Sequence, residues 1–172
     1  MIEIYFSDDD LREARSLARE RHDAKDISFR NSHRLGNHGS EYAAHTIGIL
    51  GELAWAKYSN QEIDKNIYPV RDPGEDFPNV EVKAITYVGK GEPELKIKKT
   101  EYEARDPSLY VLVRIDKDQL RLKNTVEILG TISKKSFDQF KIEKQYGEGM
   151  PINYIVPLSV MGKPIDDKEL FL

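Results

Sequence analysis

The chain has 172 residues, 39% hydrophobic and 33% charged, with 30 acidic against 26 basic side chains and a net charge of −4. That is enough for one domain, residues 1–172, with a core that needs no staples, and the acidic balance excludes a protein that coats nucleic acid through bulk positive charge. Cysteine is absent, which excludes disulfides and thiolate metal sites and leaves oxygen or imidazole to hold any metal. No apolar run approaches the length of a membrane span, and residues 1–8 lack a basic region followed by a long apolar stretch, so a cytoplasmic location is expected.

Ser7 followed by Asp8, Asp9 and Asp10 predicts an N-cap and an acidic first turn, with a helix running on through Leu11, Ala14, Leu17 and Ala18. Residues 27–39 are polar and rich in Asn, His, Arg and Gly, and read as a loop. A second helix is expected over 41–58. Its apolar residues cover much of the circumference, so it should be largely buried. Gly48 and Gly51 lie inside it, each costing about 1 kcal/mol relative to alanine, which predicts that something packs closely against that face.

A strand-rich stretch follows. Residues 67–70 read as short and extended, and Asp72-Pro73-Gly74 as a turn. Residues 80–87 alternate, with Val80, Val82 and Ala84 on one face and Glu81, Lys83 and Ile85 on the other. A strand over 95–98 leads to a capping box at 100–103 and a short helix that ends before Asp106-Pro107. The apolar run 109–115 is a strand suited to the centre of a sheet covered on both faces. Strands at 119–122 and 125–132, a helix near 136–140 and a strand near 153–157 complete an α/β domain with a central mixed sheet flanked by helices.

Four residues carry chemistry together. Glu52 lies in a predicted buried helix, where a lone carboxylate is costly without a partner. Asp76 just precedes the alternating strand, and Glu81 and Lys83 project from one face of it. Two carboxylates from adjacent segments, with the Val82 carbonyl between them, make a partial cage of the hard oxygens that Mg²⁺ prefers. Lys83 beside such a site can orient water or a phosphate. Context matters, because the bare acid-x-Lys pattern occurs four times, at Asp23, Glu81, Glu94 and Asp166. Alone, Glu81 and Lys83 would read as an exposed strand face with neighbouring opposite charges.

Asp76, then Glu81-Val82-Lys83 on a strand after a helix bearing Gly48-Ile49-Leu50-Gly51-Glu52, resembles the core of the PD-(D/E)XK, restriction-endonuclease-like nucleases. The resemblance covers about 41–115, and 126–132 is similar to the tail of small phage or mobile-element members. It implies a restriction-endonuclease-like α-β-β-β-α-β core, with C-terminal strands over about 116–172, and Mg²⁺-dependent hydrolysis of DNA phosphodiesters, Mn²⁺ being able to substitute. Asp76, Glu81, Glu52 and Val82 would hold the metal, with Lys83, Glu52, Asp76 and Glu81 as the catalytic set. Pro73 follows Asp72 and no proline immediately precedes Asp76, so Asp72 remains a rival for the aspartate. Arg30, Arg34, Lys98, Lys99 and His45 are the candidate DNA contacts, although a hydrogen-bonded structural role is the plainer reading of His45. Cutting both strands at once would favour a homodimer. The alternatives are a nuclease-fold protein that binds DNA or another protein without cutting, and an α/β structural protein whose charge spacing is coincidental.

Overall fold

The computed structural model describes residues 1–29, 38–67, 75–86 and 91–164, with backbone alone at 25–29 and 38–42. In chain order they form β1 (Ile2–Tyr5), α1 (Asp8–Phe29), α2 (His38–Ser59), β2 (Val80–Ile85), β3 (Glu94–Lys98), α3 (Lys99–Ala104), β4 (Leu109–Arg114), α4 (Lys117–Lys123), β5 (Thr125–Ser133), α5 (Lys134–Phe140), β6 (Ile142–Gln145) and β7 (Ile152–Pro157), with a 3₁₀ turn at Leu158–Val160. No helix among the described residues is long and apolar enough to cross a membrane.

The strands form two sheets. One is mixed, in the order β1-β5-β4-β2, and the other antiparallel, in the order β3-β7-β6. β2 and β4 are parallel, Glu81 opposite Tyr110, while β5 runs antiparallel to both β4 and β1. The mixed sheet is the middle of three layers. On one face Val80, Val82, Leu109, Val111, Val113, Val126 and Ile128 pack against α1 and α2. On the other, Tyr110, Leu112, Leu129 and Ile132 meet Leu95 and Ile97 of β3, Val156 of β7 and Phe137 of α5. Leu129 and Ile132 are three apart yet share a face, because the β4–β5 register slips between Leu112 and Val113 and inserts a bulge.

Local chemistry accounts for the element ends. Ser7 and Asp10 form a reciprocal cap on α1: the Asp10 N–H donates to Ser7 Oγ (3.2 Å) and the Ser7 N–H to Asp10 Oδ2 (2.7 Å). The expected alternation over β2 is observed, Val80, Val82 and Ala84 facing the helices and Ile85 the second sheet. Gly51 is where α2 crosses β2; a Cβ there would lie 2.8 Å from the Ala84 Cβ. Gly48 meets nothing within 4 Å, so the expected close packing holds at one glycine only.

Four expectations need correction. Part of the predicted loop over 27–39 is helix, since α1 runs to Phe29 and α2 starts at His38. The strand expected at 119–122 is α4, because the Asp116 side chain caps the N–H groups of Asp118 and Gln119 and Asn124 adopts φ 54° to close the other end. The helix after β3 is capped at Lys98 without a side-chain bond, so the box at 100–103 is not its start. The single expected sheet is two sheets, and β1 and β6 were not foreseen. Of the extended stretch expected at 67–70, Ile67 is in no strand, and residues 68–70 and the turn at 72–74 lie outside the described residues.

Candidate active site

Asp76 and Glu81 are joined by a tight turn. Phe77 and Val80 exchange two backbone hydrogen bonds (3.1 and 3.0 Å), with Pro78 and Asn79 between them and Asn79 at φ 61°. Proline followed by a residue with positive φ suits a type II turn. The short spacing between the two acids is thus built into a hairpin-like corner. Glu75 Oε2 accepts the Asn79 N–H (2.9 Å) and steadies it.

Beyond the corner, β2 is the last strand of its sheet among the described residues. The Val82 N–H therefore turns away from β4 and donates to Asp76 Oδ2 (2.7 Å). In an extended strand a residue's carbonyl points to the same edge as its N–H, so the Val82 carbonyl also faces the Asp76 side. Glu81 and Lys83 leave the strand on the face of the second sheet, and α2 brings Glu52 over the opposite face. Glu52 and Glu81 both lie near enough to Asp76, at the open edge of β2, for their charges to act on it.

Each flanking carboxylate has resident cations. Glu81 is only 2% exposed. Arg105 Nη1 donates to both its oxygens (2.7 and 2.8 Å) and Lys83 Nζ to Oε1 (2.7 Å). Lys83 also donates to Glu101 Oε2 (3.1 Å), and Lys98 Nζ stands 3.7 Å from Glu101 Oε1. Arg21 Nη1 reaches both oxygens of Glu52 (3.3 and 3.1 Å), while its Nη2 donates to the Asp64 carbonyl (2.5 Å). Arg21 Nε is buried with no hydrogen-bond partner among the described residues. Asp76 is held differently, its one hydrogen bond among the described residues being the Val82 N–H.

The electrostatics follow. Burial first, then the charges of Glu81 and Glu52, push the Asp76 carboxyl up to about 8, against the pull of the Val82 N–H and Lys83. Burial also raises Glu52, outweighing Arg21. Burial opposes charge on Lys83, yet Glu81 and Glu101 together hold its ammonium above the ordinary range. Glu101 is lowered despite its own burial, chiefly by Lys83. A cleft of about 610 Å³ opens beside Asp76, lined also by Glu62, Asp64, Glu75, Phe77 and Pro78.

The donor set fits a hard divalent cation: all oxygen, largely buried, and short of positive charge at Asp76. Glu52 and Glu81 are meanwhile committed to arginines, and among the described residues no three His, Asp or Glu side chains stand together so as to hold an ion as they are.

Of the residues expected in the site, Lys83 bonds to Glu81, the charges of Glu52, Glu81 and Lys83 act on Asp76, and Lys98 joins Lys83 through Glu101. Lys99 does not; it pairs with Glu143 (3.1 Å) beside the Tyr154 ring. His45 lies on α2 with its ring edge against His22, centroids 5.8 Å apart. Arg30, Arg34 and Asp72 lie outside the described residues. Arg21, Glu101 and Arg105 were not foreseen. Glu52 announced that it needed a partner, but nothing local marks a residue 31 positions away as that partner.

The fold and site define an α/β protein with a mixed four-stranded sheet flanked by helices and a cluster of acids at the sheet's edge. Set against family models, curated proteins and solved structures, the chain matches none of them.

Proposed function

We propose that the chain is a divalent-cation-dependent nuclease with a restriction-endonuclease-like site that hydrolyses DNA phosphodiesters. The observation that carries this reading is that Asp76, bonded to the Val82 N–H at an open strand edge, feels the charges of both Glu81 and Glu52, with Lys83 bonded to Glu81. Burying three carboxylates together is unfavourable, and their mutual repulsion is relieved most directly by a cation. Asp76, Glu81, Glu52 and the Val82 carbonyl would hold Mg²⁺ or Mn²⁺. When bound, the ion would supply positive charge at the phosphodiester and lower the pKa of water.

The protein's own part is positioning. Glu81 and Glu101 fix the Lys83 ammonium and keep it charged, so it can hold a phosphate oxygen or orient the attacking water. The acid-lined cleft beside Asp76 repels a polyanion. The strand is therefore expected to approach from the Lys83 side, where Lys98 is exposed to meet a neighbouring phosphate. The resemblance to restriction-endonuclease-like enzymes names DNA as the substrate class.

The test uses supercoiled, linear, single-stranded and branched DNA with Mg²⁺, Mn²⁺ or EDTA. Cleavage is expected with either ion and not with EDTA, and Lys83→Ala and Asp76→Ala should each lose at least about 100-fold in rate. If the parent cuts nothing, or the variants cut as well as the parent, the reading fails. The commitment of Glu52 and Glu81 to arginines favours a second reading, a protein that binds DNA or another protein without cutting. That reading requires DNA or protein binding with no carboxylate-dependent affinity for Mn²⁺.

A further inference from the structure

We infer that Arg105 is a resident counter-ion that competes with a divalent cation for Glu81, and so sets how tightly the site takes that cation. The inference rests on the reading of Glu81 as a cation ligand. The chain is built to deliver this arginine. Arg105 closes α3, its N–H donating to the Glu101 carbonyl (3.1 Å), and Pro107 prevents the helix from continuing. Just beyond, the Asn79 carbonyl accepts the N–H groups of both Ser108 and Leu109 (2.9 and 3.1 Å). That clamp ties the chain after Arg105 to the residue two before Glu81, and the β2–β4 pairing continues from it. The guanidinium is thus aligned with Glu81 from both ends of the connection.

The occupancy of acceptors gives the competition. Glu81 Oε1 takes donors from Lys83 and Arg105, which uses both its lone pairs. Oε2 takes Arg105 as well. An incoming ion would find Asp76 with acceptor capacity to spare, but at Glu81 it meets a guanidinium that already spans the carboxylate. A carboxylate this buried cannot stand unpaired, so some cation must occupy it at all times. Arg105 serves when no metal does.

The alternative role for such a residue is orientation, and the two roles predict opposite signs. Removing a group that merely orients a metal-binding carboxylate weakens metal affinity, typically ~10–100-fold. Removing a competitor strengthens it. The experiment is a calorimetric titration of Mn²⁺ into the metal-free full chain, comparing the parent with Arg105→Met and Arg105→Lys. Circular dichroism in EDTA establishes that each is folded. Arg105→Met should bind at least about tenfold more tightly than the parent, with Arg105→Lys close to the parent. Equal or weaker binding by a folded Arg105→Met overturns the inference.

Should Arg105→Met not fold, the parent supplies the measurement. The Arg105 side-chain N–H resonance should shift and exchange faster as Mg²⁺ saturates the site. If it stays put while backbone amides around Glu81 move, the inference is overturned. Its failure is separable from that of the proposed function. A parent that cuts DNA alongside an Arg105→Met of unchanged affinity overturns only the counter-ion role. Binding by Arg105→Met with none by the parent supports that role and sinks the nuclease reading for the parent. Binding by neither overturns both.

Discussion

The two glycines of α2 allow one substitution to be tried at two places with opposite outcomes. Both sit inside the same helix, so replacing either with alanine gains about 1 kcal/mol of helix propensity. That term cancels in the difference between the two variants. What remains is contact. At Gly48 the new Cβ meets nothing within 4 Å, and the gain should survive nearly whole. At Gly51 it would lie 2.8 Å from the Ala84 Cβ and 3.5 Å from Val82 Cγ1. Carbon atoms pack at about 3.5–4.0 Å, so α2 and β2 must separate by roughly 0.7 Å or more. Overpacking on this scale costs about 1–3 kcal/mol. Gly48→Ala should raise the melting temperature by about 2–4 °C, and Gly51→Ala should lower it or leave it level. Denaturation in EDTA measures both. Ala84→Gly in the Gly51→Ala background should recover part of the loss, a coupling that the double-mutant cycle reads directly. If the two alanine variants differ by less than about 0.5 kcal/mol, the close approach of helix and strand is not what Gly51 serves.

Two further predictions concern pH. The folded protein holds the proton of Asp76 more tightly than the unfolded chain does, up to about 8 against a reference of 3.8. The stability this contributes is whole below about pH 4 and is lost as pH rises through about 8. Four units at about 1.4 kcal/mol each set a ceiling near 6 kcal/mol, and sharing of the proton among the coupled acids brings it to roughly 2–4 kcal/mol. Asp76→Asn should therefore be more stable than the parent in EDTA at pH 8 and alike at pH 4; equal stability at pH 8 refutes the burial argument. Asp10 shifts the other way: burial opposes ionisation, but hydrogen bonds from Lys57 and Ser7 lower its pKa. Asp10→Ala should cost about 1 kcal/mol above the unfolded value near 3.9. The deficit should vanish as pH falls through the lowered folded value, as urea titrations at pH 7 and pH 2.5 would read.

Much of this site was readable from residue order alone. Two-residue alternation put Glu81 and Lys83 on one face of β2, helical spacing put Glu52 on a buried helix, and the corner at Pro78 and Asn79 explains how Asp76 reaches the same edge. The partners were not readable. Arg105 reaches Glu81 through a clamp at Asn79 and a crossover helix, and Arg21 reaches Glu52 across a helix pair. Such pairings depend on the folded path, to which no local period corresponds. β1 and β6 have four residues each, too few for alternation to stand out. In α4 the short apolar run suggests a strand, but the caps at Asp116 and Asn124 decide for helix.

Strand β6 is the exposed margin of the antiparallel sheet, with Ile142 59% accessible and all four residues open to solvent. An open margin invites a second copy to add its own strand. For two antiparallel strands related by a twofold axis, the residue on the axis faces itself. The two registers that would pair three of the four β6 residues set either Glu143 against Glu143 or Lys144 against Lys144. Like charges directly opposite are destabilising. The alternation of sign along this short strand, harmless within one molecule, becomes repulsion at the symmetry axis of two. Copies of this chain are thereby discouraged from growing edge to edge into a continuous sheet, and a twofold pair assembled to cut both strands of a duplex would have to meet through another face.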